Sequence, residues 1–288
     1  MANIRDLRQR ITSVGNIQKI TRAMEMVATT KLRRFQGTAV AAGPYTEEVG
    51  ALVRGLSGSV ASDPEAAGDA ASLFAAGDAT QPVGILFVGS DRGLCGAYNA
   101  NVQRRLDEQV RALDAPVRLY VIGRKALAHA KRRGYEVAAY LDHIDLEKLT
   151  FGDAAAVSSM LVRAFRAGHL SSVALCTTKF RSMVRYEPII EAFLPIVPDA
   201  GAPAGDVLLE PGGPELLGRL VPRYLETGVY HALLEAVTSE YASRRFAMKN
   251  ATDAAGDMKR DITRLYNRAR QAKITSEITE IVSGAEAL

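Results

Sequence analysis

Three glycines offer the chain's clearest opening for chemistry. Gly89, Gly93 and Gly96 follow the apolar run PVGILFVG (82–89) and precede a helix-like stretch from about Ala97 to Leu113. Backbone amides in such a strand-to-helix turn can cradle a phosphate. The spacing, however, is G-x-x-x-G-x-x-G rather than G-x-G-x-x-G, and the chain has no G-K-[ST], so a tight turn is the better reading. Asp91 and Arg92 in the same loop read as capping and pairing groups, and Cys95 as a small buried hydrophobe. His129, His143, His169 and His231 are scattered, with no H-E-x-x-H and no cysteine partner. Cys95 and Cys176 lie far apart, which suits a reducing compartment and gives no zinc-ligand spacing. No G-x-S-x-G elbow anchors a hydrolase triad. No self-contained active site emerges, and neither cofactor nor metal is expected.

The elements that would position these residues alternate. After 82–89 and its helix, VRLYVIG is a second buried strand, RKALAHAKRRG a helix and YEVAAYL a third strand. A helix over 153–167 and the apolar run SSVALCTT (171–178) follow. That order predicts a small α/β domain with a parallel sheet. MVRYEPIIEAFLPI reads as an edge strand, because Pro188 and Pro195 interrupt it. Gly58 to Asp78 reads as linker, and the Pro/Gly-rich 198–214 as a returning loop.

The two ends are different. Ile4, Leu7, Ile11 and Val14 step 3, 4, 3, a heptad seam, and Ile17, Ile20, Met24 and Val27 repeat it after a step one residue short. Such a stammer overwinds a coiled coil locally. Gly37 and Gly43-Pro44 predict a weak point, after which Tyr45 to about Leu56 continues the helix. From Glu215 to Val282 there is one proline, Pro222, and two sets, Met258, Ile262, Leu265 and Ala269, then Ile274, Ile278 and Ile281, each step by threes and fours. A helix of about 65 residues would reach ~100 Å, far more than one globular domain needs. The expected fold class is α/β: a small Rossmann-like domain flanked by two long terminal helices that form an antiparallel coiled coil. The expected division is 1–57, 58–214 and 215–288.

Charge sharpens this picture. The 288 residues are 48% hydrophobic and carry a net charge of +4. Residues 1–36 hold eight Lys/Arg against two acids, and 244–273 hold nine against three, so each end is +6 and the remainder −8. Lys259, Arg260, Arg264, Arg268, Arg270 and Lys273 occupy several faces of their helix, as on a surface that inserts into an acidic partner. No apolar run of about 18 residues exists to span a bilayer, and the basic start is followed by no apolar leader core.

The segments ITSVGNIQKITRAMEMVATTKLRRFQ (11–36), SDRGLCGAYN (90–99) and RFAMKNATDAAGDMKRDITRLYNRARQAKITSEITEIVSGAEAL (245–288) resemble the gamma subunit of F-type ATP synthase. The tail I-T-x-E-x-x-E-x-x-x-G-A, from Ile274 to Ala285, fits that family's signature at every fixed position. The resemblance implies a non-catalytic rotor subunit. Its paired helices would sit inside a ring of three alpha and three beta subunits. Its α/β domain would lie against the epsilon subunit and the c-ring, with membrane association through the complex only. It implies that Arg270 and Gln271 hydrogen-bond a loop of beta, that Met24 faces beta, and that Arg33 and Arg34 lie close to that region. Proton flow would turn the c-ring and gamma together, and ATP would be made in beta. A place on the cytoplasmic face of a bacterial inner membrane is expected. The chloroplast branch's inserted cysteine pair is missing, which argues against thiol control. In DVLLEP (206–211) Leu209 stands where many relatives carry tyrosine.

Basic helices could instead bind nucleic acid. Here, however, the basic segments are also the heptad segments, and aromatic side chains for stacking are sparse there (Phe35, Phe246, Tyr266), so no nucleic-acid partner is expected.

Overall fold

The computed structural model describes residues 4–62, 64–197 and 213–286. In chain order the elements are α1 (Ile4–Ser62), β1 (Val83–Val88), α2 (Tyr98–Ala112), β2 (Val117–Ile122), α3 (Arg124–Arg133), β3 (Glu136–Tyr140), α4 (Phe151–Arg166), β4 (Ser172–Phe180), β5 (Tyr186–Leu194) and α5 (Gly213–Glu286). Two compact units result, Thr30–Ser243 and Met1–Thr29 with Arg244–Leu288.

The first unit holds one five-stranded sheet in the order β3-β2-β1-β4-β5. β1 pairs in parallel with β2 and β4, β2 in parallel with β3, and β5 antiparallel with β4. This is the expected Rossmann-like order with an antiparallel edge, where Pro188 sits opposite Thr178 and its missing N–H does least harm. Ile85 and Phe87 face one way, packing with Val102, Leu106, Leu119, Val121, Ala126 and Ala130. Leu86 and Val88 face the other way and are equally buried. A strand covered on both faces needs no polar alternation, which is why 82–89 reads as an unbroken apolar run.

Gly123 shows how tightly the strand ends meet. Its φ is +94°, and a Cβ there would lie 2.2 Å from the Gly89 carbonyl oxygen. Helix α4 begins on a capping box: Thr150 Oγ1 accepts from Asp153 N at 3.2 Å, and the Asp153 carboxylate accepts from Thr150 N at 2.9 Å.

One expectation here needs correction. The linker read from Gly58 is partly helical: α1 runs to Ser62, and 3-10 turns follow over Pro64–Leu73, broken at Gly68, with Leu73 buried. α1 runs on through Gly43-Pro44, in line with the expected continuation over Tyr45 to about Leu56. Pro44 lies inside the helix, and the carbonyl it leaves unbonded belongs to Val40, a residue 70% exposed and so open to water.

In the second unit α1 and α5 run antiparallel. Thr21 meets Thr252 through a 2.8 Å hydroxyl–hydroxyl bond. Gln18 lies against Gly256, and Gly15 faces Lys259. The seam corrects the expected stammer. Leu7 is buried, Ile11, Val14, Gln18, Thr21 and Glu25 are half-buried, and Ala28 is buried. The steps alternate 4 and 3 without a break. Ile17, Ile20 and Val27 are instead 53–60% exposed. The heptad continues through polar residues, and the apolar ones sit one position off it. On α5 the matching positions are Met248, Thr252, Ala255, Ile262, Tyr266 and Ala269, all buried or half-buried, whereas Met258 and Leu265 are exposed.

Candidate functional site

An open α/β sheet binds ligands beyond the carboxyl ends of its strands, where the strand order reverses. Here that place lies between β1 and β4, and the chain fills it with its own helix. Ser243 Oγ of α5 donates to the Cys95 carbonyl at 2.6 Å and is bonded to Tyr186 OH at 2.9 Å. Ser239 Oγ donates to the Thr178 carbonyl at 3.3 Å. Ser239, Ser243 and Cys95 are all buried.

The glycine loop is closed on itself. Ser90 Oγ donates to Arg92 O at 2.7 Å, while Asn99 Nδ2 donates to Ser90 Oγ at 2.7 Å and Cys95 Sγ at 3.1 Å. Leu94 and Gly96 turn it through positive φ. Asp91 accepts from Arg124 N at 3.0 Å, capping α3 as its position suggested. Burial pushes the Cys176 thiol up to about 12, which keeps it from acting as a nucleophile. Among the described residues, no group of three or more His, Cys, Asp or Glu side chains could hold a metal ion.

Two titratable clusters in the same unit carried no sequence signal. Glu147, in the turn before α4, accepts from Lys31 of α1 and Tyr241 of α5. Phe35 stacks on Tyr241 with ring centroids 5.6 Å apart. Burial alone would raise the Glu147 carboxyl, but the hydrogen bonds from Lys31 and Tyr241 outweigh it and hold it below its ordinary value. One carboxylate thus ties two helices to the sheet's connecting turn.

The second cluster lies in a mostly apolar cleft of about 180 Å³ lined by Val40, Phe180, His231, Glu235 and Thr238. Burial raises the Glu235 carboxyl to about 7 and lowers the His231 imidazole. Their 3.7 Å contact therefore joins two groups that both favour neutrality, and His231 Nδ1 has no hydrogen-bond partner among the described residues.

The residues assigned by resemblance fall in both units. Met24 is half-buried on α1. Arg33 and Arg34 are both exposed, but Arg34 is engaged, donating to the Glu147 carbonyl at 2.5 Å with its guanidinium 4.6 Å from the Phe35 ring centroid. Arg270 and Gln271 are exposed on α5, where the helix pairing ends: every residue from Arg270 to Ser283 is exposed. That stretch carries Ile274, Ile278, Ile281 and Val282, 46–72% exposed. Leu209 lies outside the described residues.

Comparison with known proteins agrees along the whole chain. The family described as ATP synthase matches residues 3–288. The ATP synthase gamma chain of Moorella thermoacetica is 41% identical over 290 residues, covering all of both chains. That of Erythrobacter litoralis is 38% identical, again over all of both. Among solved structures, a chain of the Euglena gracilis mitochondrial ATP synthase (OSCP/F1/c-ring, rotational state 3) has a TM-score of 0.64 at 19% identity, covering 99% of this chain and 94% of that one. A chain of that organism's ATP synthase rotor in rotational state 1 gives 0.62 at 16% identity, covering 94% and 98%. The two structural matches share the fold: a mixed five-stranded sheet with long N- and C-terminal helices. With a family match over nearly every residue and gamma-chain relatives matched end to end, the chain belongs to the ATP synthase gamma-chain family.

Proposed function

We propose that this gamma chain is the central-stalk rotor of a bacterial ATP synthase, carrying torque between an ion-driven c-ring and a catalytic ring of alpha and beta subunits. It performs no chemistry of its own, and it couples proton transport to ATP synthesis made elsewhere in the complex. The observation that carries the reading is the contrast on α5. Every residue from Arg270 to Ser283 is exposed among the described residues, while the same helix plugs the sheet's ligand position with Ser239 and Ser243. A helix presenting basic and apolar groups on all faces suits a surrounding partner, and a filled switch point suits a subunit without a nucleotide site. The structural relatives described as rotor and central stalk with c-ring support the same reading.

Arg270 and Gln271 would then meet beta, with Met24 and Arg33 contributing from α1. Arg34 is already engaged with Glu147 and Phe35, so its part is chiefly to hold α1. The epsilon subunit and c-ring are taken to meet the α/β unit. The chain would sit peripherally on the cytoplasmic face of the inner membrane, and no described helix is long and apolar enough to cross a bilayer.

The test is co-expression with the organism's own alpha and beta subunits. A 3:3:1 assembly is expected, and a gamma chain that stays apart from them would sink the proposal. In that assembly Arg270→Ala and Gln271→Ala should lower ATPase rate or rotational torque while the complex stays intact. Unchanged turnover and torque in both would remove those two residues from the contact.

A further inference from the structure

The −8 middle of the chain conceals a basic island. Residues 104–133 carry nine Lys/Arg against three acids. Four of these arginines, Arg104, Arg111, Arg132 and Arg133, line one open cavity of about 370 Å³ between α2 and α3, with Asp107 and His129 at its side. Asp107 is 4% exposed and is used up internally. It accepts from His129 Nε2 at 2.8 Å, Arg133 Nη2 at 2.6 Å and Tyr135 OH at 2.9 Å. Burial would raise this carboxyl, yet those three bonds keep it below its ordinary value, so it stays a charged anchor.

His129 passes the order outward. With Nε2–H given to Asp107, its Nδ1 accepts from Arg132 Nη2 at 3.3 Å, which fixes the imidazole tautomer and aims Arg132. Arg104 bonds only the neutral Asn101 among the described residues, at 3.0 Å. Among the described residues, Arg104, Arg111 and Arg132 have no carboxylate partner. The wall therefore holds an excess of three positive charges that cannot be shed, because a guanidinium does not deprotonate in a protein.

Helix dipoles account for part of this. Arg111, Arg132 and Arg133 lie in the last turns of α2 and α3, where cations are favoured. Arg104 is in the middle of α2 and has no such reason. Guanidinium forks arriving from two helices suit the several oxygens of a tetrahedral phosphate. One phosphate group carries about −1.5 to −2 near neutral pH, so two linked phosphates match the excess. The cavity wall has no exposed aromatic ring on which a base could stack.

We propose that the cavity between α2 and α3 binds a soluble phosphoanion of the di- or triphosphate class, through its phosphates alone. Asp107 and His129 are positioning residues, and Arg104, Arg111 and Arg132 are the contacts. This site is independent of the rotor reading above.

The experiment is calorimetric titration of the full chain, at fixed ionic strength, with inorganic pyrophosphate, ATP and sulfate. Pyrophosphate and ATP should bind alike and at least tenfold tighter than sulfate. The Arg104→Gln/Arg132→Gln double variant should lose that preference about tenfold with an unchanged melting temperature, since neither side chain holds a structural ion pair. Arg163→Gln, an exposed arginine in the last turn of α4, should bind like the parent chain. Equal loss in the double variant and Arg163→Gln would overturn the proposal. So would ATP binding far more tightly than pyrophosphate, or binding only to anionic phospholipid vesicles.

Discussion

Helix α5 is one element with two fates. Along 217–243 it is packed from most sides: Leu217, Val221, Val229, Leu233 and Ala236 are fully buried, and Thr238, Ser239 and Ser243 nearly so. Along 270–283 every residue is exposed among the described residues. Helix propensity does not explain the difference, since it is the covered stretch that contains Gly218, Pro222 and Gly228. What differs is the neighbour each has. The first stretch is rich in small and aliphatic residues with hydroxyls that bond outside the helix or back to its own turn, such as Thr238 Oγ1 to the Leu234 carbonyl at 2.6 Å. The second keeps aliphatic residues, Ile274, Ile278 and Ile281, but spaces them among Lys273, Glu277 and Glu280. The same helix is thus core in one place and exposed surface in another.

The largest expected effect tests that contrast directly. Leu233→Ala removes a fully buried side chain and should destabilise the α/β unit by about 2–5 kcal/mol. Ile278→Ala, at a position 56% exposed, should change the stability of the isolated chain by no more than about 0.5 kcal/mol. Urea melts followed by tyrosine fluorescence read both. Comparable losses would mean that the C-terminal stretch is covered within the chain after all.

Between the two extremes lies the His231–Glu235 cleft, where α5 is half-covered. Glu235 is held near 7 against an ordinary 4.5, so between those values the folded chain binds more protons than the unfolded one. Stability should therefore be highest below about pH 4.5 for this group and fall as pH rises towards 7. Lys179 and Arg181 pull the carboxyl down and Glu191 pushes it up, leaving a net effect of about 1–2 kcal/mol after allowance for solvent at the cleft rim. Glu235→Gln should abolish that slope in melting temperature measured from pH 5 to 8. A slope kept in the variant would assign the titration elsewhere.

How much of this was legible in sequence depends on the kind of packing. β1 and β4 were readable because a strand buried on both faces must be apolar throughout, and β5 because Pro188 belongs at an edge. The seam of the helix pair was misread for a physical reason. Periodicity follows apolar residues, and the apolar Ile17, Ile20 and Val27 are exposed, while Gln18, Thr21 and Glu25 take the inward positions. A one-residue offset of this kind imitates a stammer. The Asp107–His129 and Glu147–Lys31–Tyr241 clusters join residues from separate elements, with no short motif to announce them. The charge ring already marks Arg270, but the contact with beta assigned to Arg270 and Gln271 came only through resemblance; their exposure at the end of the helix pairing is something periodicity did not show.

The smallest expected effect probes the polar layer that caused the misreading. Gly256 lies within α5, and a Cβ there would come 2.9 Å from Gln18 Nε2. That atom is the end of a flexible side chain, so the clash is relieved by rotating Gln18 rather than by moving a helix. Against this small cost, Ala is about 0.8–1.0 kcal/mol more favourable than Gly inside a helix. Gly256→Ala should therefore stabilise the helix pair by a few tenths of a kcal/mol, read as slower amide exchange around Thr252 and Gly15. Faster exchange would show that Gln18 is held rigidly in place. The glycine would then be there for close approach of the two helices, and the polar layer would be a fixed register device like a buried polar residue in a coiled coil.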